Sequence, residues 1–387
     1  MALVPSHPLL LSMAAAVLFL TSGAGTARIS PAAMPQLQRQ GIYEELALPP
    51  GSTDVLLSRE GRWASLCAVT FNPGRSEPER LITVVDVNAS RVAWQMALDS
   101  PSCCAFPVLS MTPAGDVIAV GGAEQTILYT RTGVPIFTAT LDDGRLHSAV
   151  GITDDGNLLV IGEWEGRVAA FARGRAKPLW VQDIGPDLMA LAVSGDGEAV
   201  VAALRAGLMV FRSRDGAVLV NNSYGPARIA MVAVSRDGSR AGLVWKRQDE
   251  RMILQYVAQG RTVWTRELDV GTVPLLQMDD GGRWLAVGDL LGKQAALYSF
   301  RGEKVWDAGR SARVAVAVAP DGSHAAMAEG PSLEVRLLPS GQSIWRNHLP
   351  GVGHAMRIAG GTVAVLGSMK SEGLPDRIWF GNIGRPR

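Results

Sequence analysis

Short apolar runs alternate with polar turns along most of the chain, and the turns that join neighbouring runs contain glycine. Stretches such as "LAVSGDGEAVVA" and "VAVSRDGSRAGLV" show the pattern, with two apolar runs of strand length around one turn. Glycine accepts the positive φ that a tight hairpin requires, so the pattern predicts β-hairpins. The turn glycines are Gly61, Gly115, Gly156, Gly197, Gly238, Gly282, Gly322 and, in a weaker copy, Gly361.

A second repeated feature follows each hairpin: a turn and then a strand that carries an aromatic side chain, as in "GVPIF", "GRTVW" and "GEKVW". The aromatic positions are Trp94, Phe137, Trp180, Trp264, Trp306 and Trp345, and Val220 occupies the remaining one. Both features recur about every 42 residues, and two further short strands fit between them. Four strands in a repeat of this length predict a β-propeller blade.

The number of blades follows from the two ends of the chain. Four-strand repeats occur seven times between Val55 and His348, and the C-terminal segment adds three strands without a fourth. The N-terminal stretch "GIYEELALPPG" resembles "SIWRNHLPGVG", with Tyr43 at the position of Trp345. We therefore predict an all-β, eight-bladed β-propeller whose last blade is closed by the N-terminal strand, which leaves no open edge between the chain ends. A seven-bladed ring with irregular ends is the alternative.

The first residues have the pattern of a signal peptide. The segment Leu9–Leu20 is apolar but too short to span a bilayer, and the small residues before Arg28 offer a cleavage site. We expect residues 1–27 to be a signal peptide, 28–40 a linker and 41–387 a single propeller domain. A first segment that is kept as a membrane anchor is the alternative. Export would place the protein in the periplasm or outside the cell, with no stable membrane span after cleavage.

Charge excludes one class of partner. The formal net charge is +1, from 37 basic and 36 acidic residues, and no run of one sign occurs. Nucleic-acid binding needs a concentrated basic surface. We therefore expect no nucleic-acid partner.

The turn glycine followed by an apolar–Trp pair resembles the pyrroloquinoline quinone (PQQ) type propeller repeat, and "VVDVNASRVAW" is its best single copy. The "SRDG" and "APDG" turns are also similar to those of bacterial WD40-type repeats. The resemblance covers the chain from Ile42 to Ile383, and it implies that the outer-strand tryptophans pack against the neighbouring blade. Propellers of this type that lack cofactor residues include outer-membrane assembly scaffolds, which implies a protein-binding role.

Two adjacent cysteines, Cys103 and Cys104, lie in the predicted loop between the first and second blades. Quinoprotein alcohol dehydrogenases, which have similar repeats, carry a vicinal disulfide at this kind of connection, over a quinone held with calcium. No loop of this chain matches the calcium or base motif of those enzymes. Export favours disulfides, and three arrangements stay open: a bridge from Cys67 to one of the pair, a bridge within the pair, or no bridge at all.

The loops that lead into the innermost strands of a propeller share one face with the loops between its second and third strands. Residues at the starts of the predicted innermost strands should therefore surround the mouth of the channel. This candidate ligand-binding set comprises Asp54, Cys103, Cys104, His147, Asp187, Arg228, Arg313 and His354. Glu163 and Glu165 on the same face are a candidate acid–base pair, and His348 is a candidate metal ligand or base with His354. A solvated loop residue is the simpler interpretation of each.

These features predict an exported, non-catalytic β-propeller that acts as a protein-interaction or ligand-binding platform in an envelope complex, without a cofactor. A protein is the expected partner, and a small polar ligand is the second kind considered. The alternative is a PQQ-dependent quinoprotein dehydrogenase with calcium, using Cys103 and Cys104 beside a cofactor at the mouth. Whether the chain is an enzyme is left open, and the non-catalytic interpretation is favoured.

Overall fold

The computed structural model describes residues 28–29, 38–40, 43–48, 54–70, 79–98, 109–122, 125–141, 147–205, 207–223, 228–268, 274–289, 294–308, 313–369 and 375–383. Within these ranges the chain consists of β-strands and connecting turns, without a helix. The described residues therefore include no helix that could cross a membrane. The segment interpreted as a signal peptide lies outside them, so that interpretation stays a prediction.

The strands are numbered in chain order. Three come before the first full sheet: β1 (Arg28–Ile29), β2 (Gln38–Gln40) and β3 (Tyr43–Ala47). Seven groups of four follow: β4 (Asp54–Leu57), β5 (Trp63–Thr70), β6 (Glu79–Asp86), β7 (Arg91–Leu98); β8 (Leu109–Met111), β9 (Val117–Gly121), β10 (Gln125–Thr130), β11 (Pro135–Thr140); β12 (His147–Ile152), β13 (Leu158–Glu163), β14 (Arg167–Ala172), β15 (Trp180–Asp183); β16 (Leu188–Val193), β17 (Ala199–Leu204), β18 (Gly207–Arg212), β19 (Val218–Ser223); β20 (Arg228–Val234), β21 (Arg240–Lys246), β22 (Met252–Ala258), β23 (Arg261–Leu268); β24 (Pro274–Met278), β25 (Trp284–Asp289), β26 (Ala295–Ser299), β27 (Lys304–Asp307); β28 (Val314–Val318), β29 (His324–Glu329), β30 (Ser332–Leu337), β31 (Ser343–His348). The last three are β32 (Val352–Ala359), β33 (Thr362–Ser368) and β34 (Arg377–Asn382).

Hydrogen bonding groups these strands into eight antiparallel sheets, each of which is one blade. Blades 1 to 7 are the seven groups of four in chain order, and blade 8 contains β32, β33, β34 and β3. The first strands of neighbouring blades contact one another around the ring, so they surround a central channel. We call the four strands of each blade A to D from this channel outward.

Blade 8 joins the two ends of the chain. Its D strand is β3, which pairs with β34 so that Tyr43 lies opposite Gly381 and Glu45 opposite Trp379. The prediction of eight blades with an N-terminal closing strand is confirmed, and the seven-bladed alternative is wrong. Within the segment interpreted as a linker, β1 pairs with the outer edge of blade 1 and β2 with the outer edge of blade 8. The N-terminal segment therefore contacts both blades that flank the closure.

The buried apolar residues lie between the blades. They form eight clusters, one for each pair of neighbouring blades around the ring. The cluster between blades 8 and 1 combines Leu46 of β3, Val55 of β4 and Phe380 of β34. Removing this apolar surface from water favours a closed ring over an open one.

Outer-strand aromatic residues pack against the next blade, as predicted. The ring centroid of Trp94 lies 5.5 Å from that of Tyr129 in blade 2, and that of Trp264 lies 6.0 Å from that of Tyr298 in blade 6. Gly302 in the C–D turn of blade 6 has φ +80°, and a Cβ atom there would come within 3.0 Å of the Trp264 ring. The tryptophan therefore fits between an aromatic side chain and a turn that has no room for a side chain.

The A–B hairpins share one hydrogen-bonding pattern. The eight predicted turn glycines all have positive φ, between 62° and 82°, which confirms their assignment. In blade 4, Ser194 Oγ accepts a hydrogen bond from the Ala199 N–H at 2.9 Å and donates one to Asp196 Oδ1 at 2.7 Å. Thr153 and Ser235 make the equivalent bonds in blades 3 and 5. These side chains hold the hairpin in the conformation that the glycine permits.

A β-bulge interrupts the D strand just before the aromatic position in blades 1, 2, 4, 5, 6 and 7. The extra residue is Ala93, Ile136, Leu219, Val263, Val305 or Ile344, and the five larger ones are exposed. The bulge turns this aliphatic residue outward while the aromatic residue faces the next blade. Bulges also disfavour pairing with another strand, so they protect the outer edges from aggregation.

Candidate functional site

The predicted site residues lie on the face of the ring where the A strands begin, which we call the mouth face. Side chains are described for His147, Asp187, Arg313 and His354. Asp54 begins β4 and Arg228 begins β20, so their backbone positions are as predicted, while their side chains lie outside the described residues. Cys103 and Cys104 lie entirely outside them.

Arg313 and His354 contact each other between blades 7 and 8. Arg313 Nη1 donates a hydrogen bond to His354 Nδ1 at 2.8 Å, and His354 Nε2 lies 3.1 Å from Ser368 Oγ. A guanidinium group can only donate, so His354 accepts from Arg313 in this contact. His354 is 1% exposed and sits at a β-bulge in β32. Its side chain therefore belongs to the blade interface rather than to the open surface.

His147 has a similar position between blades 2 and 3. It begins β12 and is buried, and its Nδ1 lies 2.9 Å from Thr126 Oγ1 of blade 2. The structure therefore places this histidine in a second interface, three blades away from that of His354 across the closure. The two histidines do not share a site.

Asp187 links blades 3 and 4 at the mouth face. Its backbone has φ 70°, and its carboxylate Oδ2 lies 3.2 Å from Arg205 Nη1. Its N–H donates to the Trp164 carbonyl at 3.0 Å, and its carbonyl accepts from the Arg205 N–H at 2.9 Å. Asp187 therefore connects the B–C turn of blade 3 with the end of the B strand of blade 4.

The B–C turn of blade 3 presents a tryptophan to solvent. Trp164 is 40% exposed, and a hydrogen bond of 2.9 Å from the Gly166 N–H to the Glu163 carbonyl closes the turn. The Glu163 side chain is buried and accepts two hydrogen bonds from Arg167, at 2.9 and 3.1 Å. Glu165 is exposed. The two carboxylates therefore differ in role: one anchors the turn, and the other faces solvent beside Trp164.

His348, the other candidate base or metal ligand, ends β31 on the surface, with its Nδ1 3.3 Å from the Pro331 carbonyl oxygen. No three His, Cys, Asp or Glu side chains within the described ranges are grouped to hold a metal ion. The expectation of no cofactor, and the alternative of PQQ with calcium, both stay predictions. Cys67 is buried in β5, in the cluster between blades 1 and 2, and its pairing with Cys103 or Cys104 stays a prediction.

Four charged side chains meet at the opposite end of the channel, and we call them the axial quartet: Arg59, Asp154, Arg236 and Asp280. Arg59 of blade 1 forms an ion pair with Asp280 of blade 6. Arg236 Nε of blade 5 lies 2.5 Å from Asp154 Oδ2 of blade 3. Partners from blades that are not neighbours must reach across the axis. Burial raises the pKa of Asp280 above its usual value, although Arg59 opposes the shift.

Sequence reasoning missed the axial quartet, although a signal for it exists. Each member directly follows the last residue of an A strand and its capping polar side chain, as in "SREG", "TDDG", "SRDG" and "DDGG". The backbone at this repeat position also links blades, for example by a hydrogen bond of 2.9 Å from the Arg236 N–H to the Asp280 carbonyl. Charged residues recur at this one position of the repeat, close to the axis. The sequence therefore contained a signal for ion pairs between blades.

Comparison with known proteins places the chain by fold alone. No protein-family model matches it, and no curated protein matches it in sequence. BamB from Moraxella catarrhalis is 13% identical and aligns over 91% of this chain and 98% of its own, with a TM-score of 0.57. The β-propeller domain of Cps50 (Swd1) from Myceliophteria thermophila is 11% identical and aligns over 73% of this chain and 96% of its own, with a TM-score of 0.51. Likeness at this level establishes a shared propeller fold, and membership of the PQQ-type family stays a prediction.

Proposed function

We propose that this protein is an exported, non-catalytic β-propeller that binds a protein partner through its mouth face as part of an envelope complex. The observation that supports the proposal most is the position of Trp164. It is a large aromatic side chain that is 40% exposed on a turn held by several hydrogen bonds.

Exposed tryptophans on fixed turns are suited to protein recognition. Tryptophan is enriched among the residues that dominate binding energy at interfaces. The turn around Trp164 is held by Arg167 from within its own blade and by Asp187 from the next connection, so little further ordering is needed on binding. Glu165, Asp187 and Arg205 supply the polar surroundings that usually border such an anchor.

The other polar residues of the mouth face support binding rather than chemistry. Catalysis needs an acid, a base or a nucleophile that converge on one reacting group. His147 lies in the interface of blades 2 and 3, whereas Arg313 and His354 lie in that of blades 7 and 8. Their hydrogen bonds hold blades together at separate places around the ring.

Export is supported by the pattern of the first 27 residues, with a short apolar segment followed by small residues. The fold shared with BamB supports no particular location, because folds are reused for many functions. The sequence pattern therefore carries this part of the proposal.

The proposal is tested by capture of a partner from envelope extract with the full chain and two variants. Trp164→Ala should reduce the captured amount at least about tenfold, because truncating an interface anchor costs about 2 kcal/mol or more. Phe300→Ala is the matched control, since Phe300 is 41% exposed on a C–D turn at the opposite face. Equal capture by Trp164→Ala and the unaltered chain would show that the mouth face around this turn is not the interface.

A further inference from the structure

A cleft of about 150 Å³ opens between blades 5 and 6, near the mouth-face ends of β23 and β27. Its floor is apolar and is formed by Leu268, Val287, Ala295 and Ala296, all of them buried. Its rim is polar and includes Glu267, Lys304 and Asp307, together with Tyr298. None of these residues belongs to the predicted mouth set or to the axial quartet.

The tyrosine in this cleft, Tyr298, has a hydroxyl group that forms no hydrogen bond with the described residues. Tyr298 is 5% exposed, its ring packs on Trp264, and no described residue bonds to its hydroxyl. This hydroxyl oxygen is accessible to solvent, since it is not one of the buried polar atoms without a partner among the described residues. Burial raises the pKa of Tyr298, so its phenol remains a proton donor at neutral pH.

The rim carries charges of both signs. Lys304 Nζ lies 3.2 Å from Asp307 Oδ2, and both side chains are largely exposed. Glu267 on the facing strand accepts hydrogen bonds of 3.1 Å from Arg251. Exposed ion pairs contribute little stability, so Lys304 and Asp307 can exchange each other for charged groups of a ligand.

The volume limits the size of that ligand. A cavity of about 150 Å³ holds a molecule such as benzene, with six non-hydrogen atoms. A molecule that also places an ammonium and a carboxylate on this rim, and a short aliphatic group on the floor, is a small α-amino acid.

We propose that the cleft between blades 5 and 6 binds a free aliphatic α-amino acid between alanine and valine in size. Its carboxylate contacts Lys304 and the Tyr298 hydroxyl, its ammonium contacts Asp307, and its side chain packs on the apolar floor. The site is independent of the protein-binding surface proposed around Trp164.

Isothermal titration of the full chain with L-valine tests the ligand class. Isobutyrate and isopropylamine keep the aliphatic group but lack the ammonium or the carboxylate. Valine should bind at least about tenfold more tightly than either, because hydrogen bonds to charged groups are stronger than neutral ones. No heat change with valine at about 10 mM, or equal binding of all three compounds, would overturn the proposal.

Two variants and a matched control locate the binding. Tyr298→Phe should weaken valine binding by about fivefold, since it removes one hydrogen bond, and Lys304→Met by about tenfold or more. Tyr129→Phe is the control, because Tyr129 is 4% exposed and packs on Trp94 at the equivalent place between blades 1 and 2. Lys304→Met alters an exposed side chain and keeps the test valid if Tyr298→Phe disturbs packing. Equal weakening by Tyr129→Phe and Tyr298→Phe, or loss of partner capture without any amino-acid binding, would contradict this site.

Discussion

Arg336 shows how one side chain adapts a repeated contact. In blades 2 and 6 a tyrosine packs on the tryptophan of the preceding blade, whereas blade 7 has Arg336 at this position, with its guanidinium carbon 4.4 Å from the Trp306 ring centroid. Glu334 accepts hydrogen bonds from Arg336 at 3.0 Å and from Arg346 at 2.8 Å. A cation–π contact supported by a carboxylate thus replaces an aromatic pair at the interface of blades 6 and 7.

Glu334 should make stability depend on pH. Burial acts to raise its pKa, but hydrogen bonds from Arg336 and Arg346 outweigh burial and lower the pKa from 4.5 to about 2. Since the folded-state pKa is below the unfolded value, the stabilisation is present above about pH 4.5 and is lost as the pH falls towards 2. Glu334→Gln should lower the free energy of unfolding by about 1–2 kcal/mol at pH 7, and by less at pH 4.

Urea denaturation at pH 7, 5 and 4 measures this difference, with Glu198→Gln on an exposed A–B turn as the control. The control should change stability by less than about 0.5 kcal/mol at every pH. A loss in Glu334→Gln that stays the same from pH 7 to pH 4 would show that its charged form is not what stabilises the fold.

At the scale of the element, the blade is held by turns and bulges rather than by long strands. The positive-φ glycine lets the A–B hairpin turn tightly, and the serine, threonine or aspartate three residues before it bonds the backbone. In the C–D turn, the glycine also leaves room for the tryptophan of the preceding blade. This division of roles predicts that a C–D turn glycine is harder to replace where it contacts a tryptophan than where it does not.

Two C–D turn glycines separate backbone strain from packing. Gly216 has φ +71°, and a Cβ atom there would lie 2.8 Å from a Trp180 ring atom, whereas Gly174 has φ +85° and nothing within 4 Å. Gly174→Ala should cost about 1–2 kcal/mol for the left-handed backbone alone. Gly216→Ala should cost a further 1–3 kcal/mol, roughly, because Trp180 has to move.

Thermal and urea unfolding of the two variants provide the comparison. Trp180 also donates a hydrogen bond from its indole N–H to the Ser213 carbonyl, so its displacement should change tryptophan fluorescence in Gly216→Ala only. Equal stability losses in the two variants would mean that Trp180 moves aside without any loss of packing energy at the interface.

At the scale of the whole molecule, the ring is closed by a buried carboxylate. Glu45 of β3 is 4% exposed and accepts a hydrogen bond of 2.8 Å from Trp379 Nε1, and it forms an ion pair with Arg377. Both partners come from β34, more than 300 residues later in the chain. The contact therefore supplements the apolar packing of Leu46 and Phe380 with a bond that only the closed ring can make.

Removing this carboxylate should weaken closure. Glu45→Leu should lower the free energy of unfolding by about 3 kcal/mol, because it leaves the Arg377 charge and the Trp379 N–H without their partner. Glu45→Gln should cost less, since an amide oxygen can still accept from Trp379. Glu44→Leu, at the preceding position of the same strand, is the control and should cost less, because Glu44 is only half-buried and its hydrogen bond comes from the exposed Ser90.

Urea denaturation of the three variants measures the difference. Aggregation should accompany the loss in Glu45→Leu, because an opened blade 8 exposes unpaired strand edges. If Glu45→Leu is no less stable than Glu44→Leu, the carboxylate contributes nothing to closure.

The amino-acid sequence by itself determined the hairpins, the four-strand repeat, the eight blades and the N-terminal closing strand. Glycine turns and alternating apolar residues act over a few neighbouring positions, so their period is readable along the chain. It also indicated that Arg313, His354 and His147 lie where their A strands begin, whereas their role in ligand binding stays a prediction. The bulges before the aromatic residues were not readable, because an extra aliphatic residue in a strand looks like any other strand residue.

Only the tertiary structure decided which of those residues meet. The Arg313–His354 bond, the burial of His147 beside Thr126, the axial quartet and the cleft beside Tyr298 all join residues from different blades. Their distances depend on how far each sheet is rotated about the ring and on how its neighbours pack. These are properties of the assembled ring, and a repeat pattern within one blade does not contain them.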